Sequence, residues 1–236
     1  MQTFIAFPGS EHLNTTTDNF IQLMASDSAR REVAMLEDIM SHFTSEALHA
    51  FFRVPAEQLE LKGAMMKIVN ATISTIRGAS SLLVSRTAPK LDLEQIRQLA
   101  QYMDVMRIKI PDKNGEDVWH VSFPLKDTLH QQAQAGLEQL RLQHYDEARE
   151  HLTEFLLGMT DEGLFWYMEQ PLGMLGLGSI LTAICKTGTE TARKGSRAVI
   201  NKIVRKQQGE ALVQIGTFIE DLIVRSEPRR PEQALD

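Results

Sequence analysis

The sequence predicts a mainly α fold, a single-domain bundle of about seven to nine helices with one β-hairpin near 107–123. Three observations carry this. Apolar residues recur at spacings of three and four along most of the chain, as in Val33, Leu36, Met40, Phe43, Ala47 and Phe51. The one clear alternation of polar and apolar residues lies on either side of Asn114-Gly115. The 236 residues are 43% hydrophobic and 24% charged, enough apolar surface to build a core at this length.

The elements follow in order. Thr3-Phe4-Ile5-Ala6-Phe7 reads as a short strand ended by Pro8-Gly9, offered as a third partner for the hairpin. A helix around Phe20–Met24 follows the cap candidates Asn14–Asp18. The next helix is expected to start near Ser26-Asp27-Ser28, bend near Thr44 and end by Val54. Pro55 disfavours the α conformation before it, and is placed to start the next helix. That helix runs to about Ser85 with a stripe of Leu61, Met65, Ile68, Thr72, Ile76, Ala79 and Leu83. Gly63, Asn70, Ser74, Ser81 and Ser85 on its other side are small enough to admit a neighbouring backbone, so it is expected to be the central, most buried helix.

Thr87-Ala88-Pro89 breaks the pattern, and Leu91 or Asp92 begins a helix carrying Leu93, Ile96, Leu99, Ala100 and Met103. Arg107–Ile110 and Val118–Phe123 make the hairpin. A Gln-rich helix runs from Pro124 to His144, and another from Tyr145 through Met159, with a break at Gln170-Pro171. Ala135 to Phe155 resembles one tetratricopeptide unit through Tyr145-Asp146-Glu147-Ala148 and Leu152. It departs from that pattern at Gln139 and Phe155 and has no second copy, so it reads as a helical hairpin. Two helical stretches, 189–208 and 210–226, close a domain of residues 1–226. A flexible tail, 227–236, is expected to follow. No repeat period shows in the sequence.

Catalytic and cofactor signatures are lacking. Gly173, Gly176 and Gly178 have the wrong spacing for a dinucleotide loop, and Gly188 to Ser196 lacks the ending of a phosphate loop. Lys186-Thr187-Gly188 stands without a Ser-x-x-Lys. The spacings His42/Glu46/His49 and His144/Glu147/His151/Glu154 could gather metal ligands, but both read as solvated helix faces. No catalytic residue, metal or cofactor is therefore expected. The single cysteine, Cys185, allows no internal disulfide, and the start of the chain does not resemble a signal peptide, so a cytoplasmic location is expected.

Two segments stand out. Pro171 to Cys185 is almost wholly apolar, flanked by Trp166 and Tyr167 on one side and Lys186 on the other. Its 15 residues are short of the roughly 20 that span a bilayer, so it is expected to be a core helix packed through its glycines. The stretch 186–206 holds seven basic residues, Lys186, Arg193, Lys194, Arg197, Lys202, Arg205 and Lys206, against one acid, Glu190, in a chain of net charge −6. On a helical wheel they cover the side opposite Ala192, Val199, Ile200, Ile203 and Val204.

The first expectation is a non-enzymatic protein that binds a protein partner, with self-association left open. The alternative is peripheral docking on an anionic membrane through 163–206. The third is binding of nucleic-acid phosphates through 186–206.

Overall fold

The computed structural model describes residues 1–227, so all of the expected tail except Glu227 lies outside the described residues. The chain is mainly helical with a small antiparallel sheet. It begins with β1 (Gln2–Pro8), α1 (Glu11–Ala25) and α2 (Val33–Leu48). A π turn, His49–Arg53, joins α2 without interruption to α3 (Val54–Gln58). Then come α4 (Gly63–Thr87), α5 (Leu93–Val105) and β2 (Arg107–Pro111). The same order follows again: β3 (Asp117–Pro124), α6 (Asp127–Arg141), α7 (Tyr145–Leu164), a π turn at Phe165–Glu169, α8 (Gln170–Met174), α9 (Ser179–Ile203), α10 (Glu210–Leu222) and β4 (Ile223–Ser226).

The two halves are an internal repeat. Pro55 and Pro171 are 116 positions apart, and the same offset carries α4 onto α9, each 25 residues long. Strand order is β2-β3-β1-β4. The central pair β1–β3 is antiparallel with Ala6 opposite Ser122, its own counterpart. On either side, Ile5 pairs with Ile223 as Val121 pairs with Arg107. These registers define a pseudo-two-fold axis through the sheet. Each half lends its last strand to the first strand of the other, so the sheet interlocks them.

The repeat is invisible in the sequence because identities at this offset are sparse, such as Phe7/Phe123, Pro8/Pro124, Leu48/Leu164 and Pro55/Pro171. Burial is what repeats: Leu36 and Ile96 lie in one core cluster, and their counterparts Leu152 and Leu212 in the other, all 0–2% exposed. A core position asks for volume and apolarity more than for one residue type.

The helix expected to end by Val54 passes through Pro55. Proline in an α-helix clashes with the carbonyl four residues earlier. Here the preceding turn widens, so that the Val54 N–H reaches back to the His49 carbonyl, and the chain continues. Pro171 repeats the device with Gln170 N–H on Phe165. The break comes later, at Glu60 (φ 48), so the helix expected from Pro55 to Ser85 is two helices. Ser26 and Ser28 close α1 rather than open α2: the Ser26 hydroxyl donates to Leu23 O at 2.8 Å. Asp92 caps α5 in a reciprocal capping box with Gln95. Residues 223–226 are strand rather than helix, because the edge of β1 is open to them.

Two expectations about helix environment are overturned. Pro171–Cys185 is not one buried helix. Gly176 (φ 56) breaks it, and nothing lies within 4 Å of a Cβ placed on Gly173, Gly176 or Gly178. The small-residue side of α4 is not its packed side: Asn70, Ser74, Ser81 and Ser85 are all exposed. The close approach uses a neighbouring strip. Gly195 of α9 faces Thr72 Cγ2, where an added Cβ would sit at 3.0 Å, and Gly188 lies under the Ala79 carbonyl. These two contacts are symmetry mates, and they set α4 beside α9 across the axis.

Candidate functional site

Between the halves lies an apolar cavity of about 270 Å³, and its wall is built twice over from equivalent positions. The α2 helix and its π turn contribute Met40, Phe43, Thr44, Ala47 and Phe51. The α7 helix and its π turn contribute the counterparts Leu156, Met159, Thr160, Gly163 and Tyr167. Along α4, Ile76, Ser80, Leu83 and Thr87 face it, and along α9 their equivalents Ala192, Ser196, Val199 and Ile203. Phe123, Leu99, Ile215 and Phe218 line it on the side of the sheet and of α5 and α10.

The π turns place the two aromatic walls. Each wall residue, Phe51 or Tyr167, stands four before its proline, at the position whose carbonyl an α-helical proline would strike. Tyr167 meets Phe43 edge-on at 4.9 Å and Phe123 at 5.3 Å. Its ring borders the cavity, while its hydroxyl is buried with no hydrogen-bond partner among the described residues. Burial, reinforced by the nearby Tyr102 phenol, pushes the Tyr167 pKa well above the ordinary value of 10.0. The turn also redirects a hydrogen bond. With Gln170 bonded to Phe165, the Trp166 carbonyl is released from the helix, and the Tyr102 hydroxyl donates to it at 2.6 Å.

Most of the lining is aliphatic or aromatic, and its polar members are hydroxyls. Those of Thr87, Thr160 and Ser196 donate to carbonyls of their own helices, at 2.9 Å in each case. A protein interior is ordinarily packed to crystal density. Apolar walls that face unfilled space lack the contacts a packed neighbour would give, and an apolar occupant would restore them.

The residues singled out in the sequence are distributed differently. Tyr167 points inward. Trp166 is half-buried against the core of the second half, its ring 5.2 Å from that of Phe165. Arg193 is committed to its own chain, bonded to Asp161 at 3.1 Å, to Glu169 at 2.6 Å, and to Glu190. Arg197 takes the other oxygen of Asp161 at 2.5 Å. Lys186, Lys194, Lys202, Arg205 and Lys206 are exposed, and none forms an ion pair among the described residues. Cys185 is buried, and burial raises its thiol pKa above the ordinary 9.0.

The polar clusters are engaged elsewhere. His42 associates with His12 and Asp38 rather than with His49. His12 Nε2 lies 3.0 Å from Asp38 Oδ2, and His42 Nδ1 lies 3.0 Å from the Asp38 carbonyl. Three ligand-type atoms of this trio fall within 4.8 Å of one another, the one group among the described residues with the composition for a metal ion. These hydrogen bonds account for its geometry. Glu46 caps the start of α1, accepting from Ser10 N at 2.8 Å. His151 and Glu154 both meet Gln132.

The cavity left no motif in the sequence. Its one trace is a repeated pattern, an aromatic four residues before a proline at Phe51/Pro55 and Tyr167/Pro171. Among the described residues no helix is long and apolar enough to cross a membrane. No protein-family model, curated protein or solved structure matches this chain.

Proposed function

We propose that this protein binds an apolar small molecule without transforming it, holding it in the cavity between its two halves. The observation that supports this most is the cavity itself: about 270 Å³ of space lined by side chains such as Met40, Phe51, Leu83, Leu156 and Val199. An engineered apolar cavity of about 150 Å³ takes up benzene, so this one suits a molecule larger than a single ring, or a folded alkyl chain. Tyr167 is the one titratable side chain in the described lining, which favours binding over acid–base chemistry. A protein partner on the basic side of α9 now ranks behind this reading, because Arg193 and Arg197 are already bonded to Asp161.

The test fills the cavity from equivalent sides. Ala47 and Gly163 both line it, and a Cβ on Gly163 would touch the Phe123 ring at an ordinary 3.6 Å. Ala47→Leu with Gly163→Leu should leave the fold intact and abolish uptake of a fluorescent fatty acid that the parent protein takes up stoichiometrically. Equal uptake by both proteins, or none by the parent, would overturn the reading.

A further inference from the structure

The helices that line the cavity with one face carry cations on the other. Along α4 the chain has no acid between Glu60 and Asp92, while Lys67 and Arg86 are exposed. Along α9, Lys186, Lys194 and Lys202 are exposed, and the sole acid, Glu190, is held by Arg193. The contacts Thr72–Gly195 and Ala79–Gly188 lay these helices side by side across the pseudo-two-fold axis. Their outward faces therefore open to the same side of the molecule. Between the cations lie Ser74, Gly78 and Ser81, all exposed, and Leu82, an exposed aliphatic at 52%. The face is thus positive and low in relief, in a chain whose net charge is −6.

We propose that the paired outward faces of α4 and α9 dock this protein on an anionic lipid bilayer, with the cavity directly behind them. The choice of a bilayer rests on the ligand-binding reading above, because an apolar ligand is drawn from and returned to lipid. Charge complementarity supplies the attraction, at roughly fivefold in partition for each cation near an anionic leaflet. Nucleic acid fits less well, since neither α4 nor α9 contains an aromatic residue on which a base could stack.

The experiment is co-sedimentation of the full chain with vesicles of phosphatidylcholine alone or mixed with phosphatidylserine, at low and high salt. Duplex DNA binding is measured alongside. The variant is Lys67→Glu/Lys194→Glu/Lys202→Glu, three exposed positions whose reversal leaves the core untouched. The proposal expects binding to the phosphatidylserine vesicles only, weakened by salt, and reduced at least tenfold in the variant. Absent vesicle binding, binding that the variant retains, or preference for DNA would each overturn it. Fatty-acid uptake by the same proteins separates the two readings. Uptake without vesicle binding sinks the docking proposal alone, and vesicle binding without uptake sinks the cavity reading alone.

Discussion

Ala6 and Ser122 face each other at the centre of the sheet and occupy the same position in the two halves, so the pseudo-two-fold axis runs between them. The equivalence is imperfect in chemistry. Ala6 is 3% and Ser122 1% exposed, and the Ser122 hydroxyl has no hydrogen-bond partner among the described residues. A buried hydroxyl left unpaired costs about 1–3 kcal/mol. Ser122→Ala, which makes the pair symmetric, should raise the urea midpoint without changing the slope of the transition. A lowered midpoint would show that the hydroxyl has a partner in solution.

Tyr102 is a second place where the halves differ. Its counterpart in α10 is Phe218, which has no hydroxyl to offer. Among the described residues, only the second π turn has its released carbonyl, that of Trp166, taken up by a side chain in this way. Tyr102→Phe should lower stability by about 1 kcal/mol, the usual net value of such a bond, with little change in far-ultraviolet circular dichroism. Unchanged stability would mean that the π turn at Phe165–Glu169 does not depend on this donor.

Tyr167 makes stability sensitive to alkali. Its folded pKa lies well above 10.0, and burial is the main cause. Below the ordinary phenol range both states keep the proton, and the contribution is constant. Above it, the unfolded chain releases a proton that the folded chain retains, so stability falls as pH rises, at up to about 1.4 kcal/mol per pH unit. In Tyr167→Phe this slope should be shallower, and stability at neutral pH should be equal or higher. Melting temperatures of both proteins between pH 9 and pH 11 decide it, and parallel curves would refute the assignment.

Cys185 should react slowly with a water-soluble disulfide reagent at pH 8. It is 3% exposed, and its raised pKa leaves little thiolate. Full reaction is expected only as denaturant unfolds the chain. A rate near that of a free thiol in the native protein would place α9 in a more open arrangement.

The helical class, the hairpin at Asn114-Gly115 and the added strand at Thr3–Phe7 were all legible in the sequence. So was a helix start at Leu91 or Asp92, which the structure places at Leu93 with Asp92 as its cap. These follow from local rules: side-chain period, turn chemistry and backbone capping act over a few residues. The π turns were not legible, because Pro55 and Pro171 read locally as stops, and only neighbouring packing makes a widened turn worth its poorer geometry. The repeat was not legible either. Its counterparts share burial far more than identity, and burial is a property of the assembled core. The small residues of α4 point to the wrong strip, because the wheel shows which residues share a face, but not which face meets a neighbour.

By itself, then, the sequence determined which stretches coil and which extend, through interactions that span one or two turns. Tertiary structure alone decided that two halves interlock in one sheet, that the inward faces of α4 and α9 line open apolar space instead of filling it, and that Arg193 and Arg197 turn to Asp161 while Lys194 and Lys202 form no ion pair among the described residues. Each of these depends on groups far apart in the chain, such as Asp161 with Arg197 or Tyr102 with Trp166. Their meeting is set by how the helices pack and not by any residue's local preference.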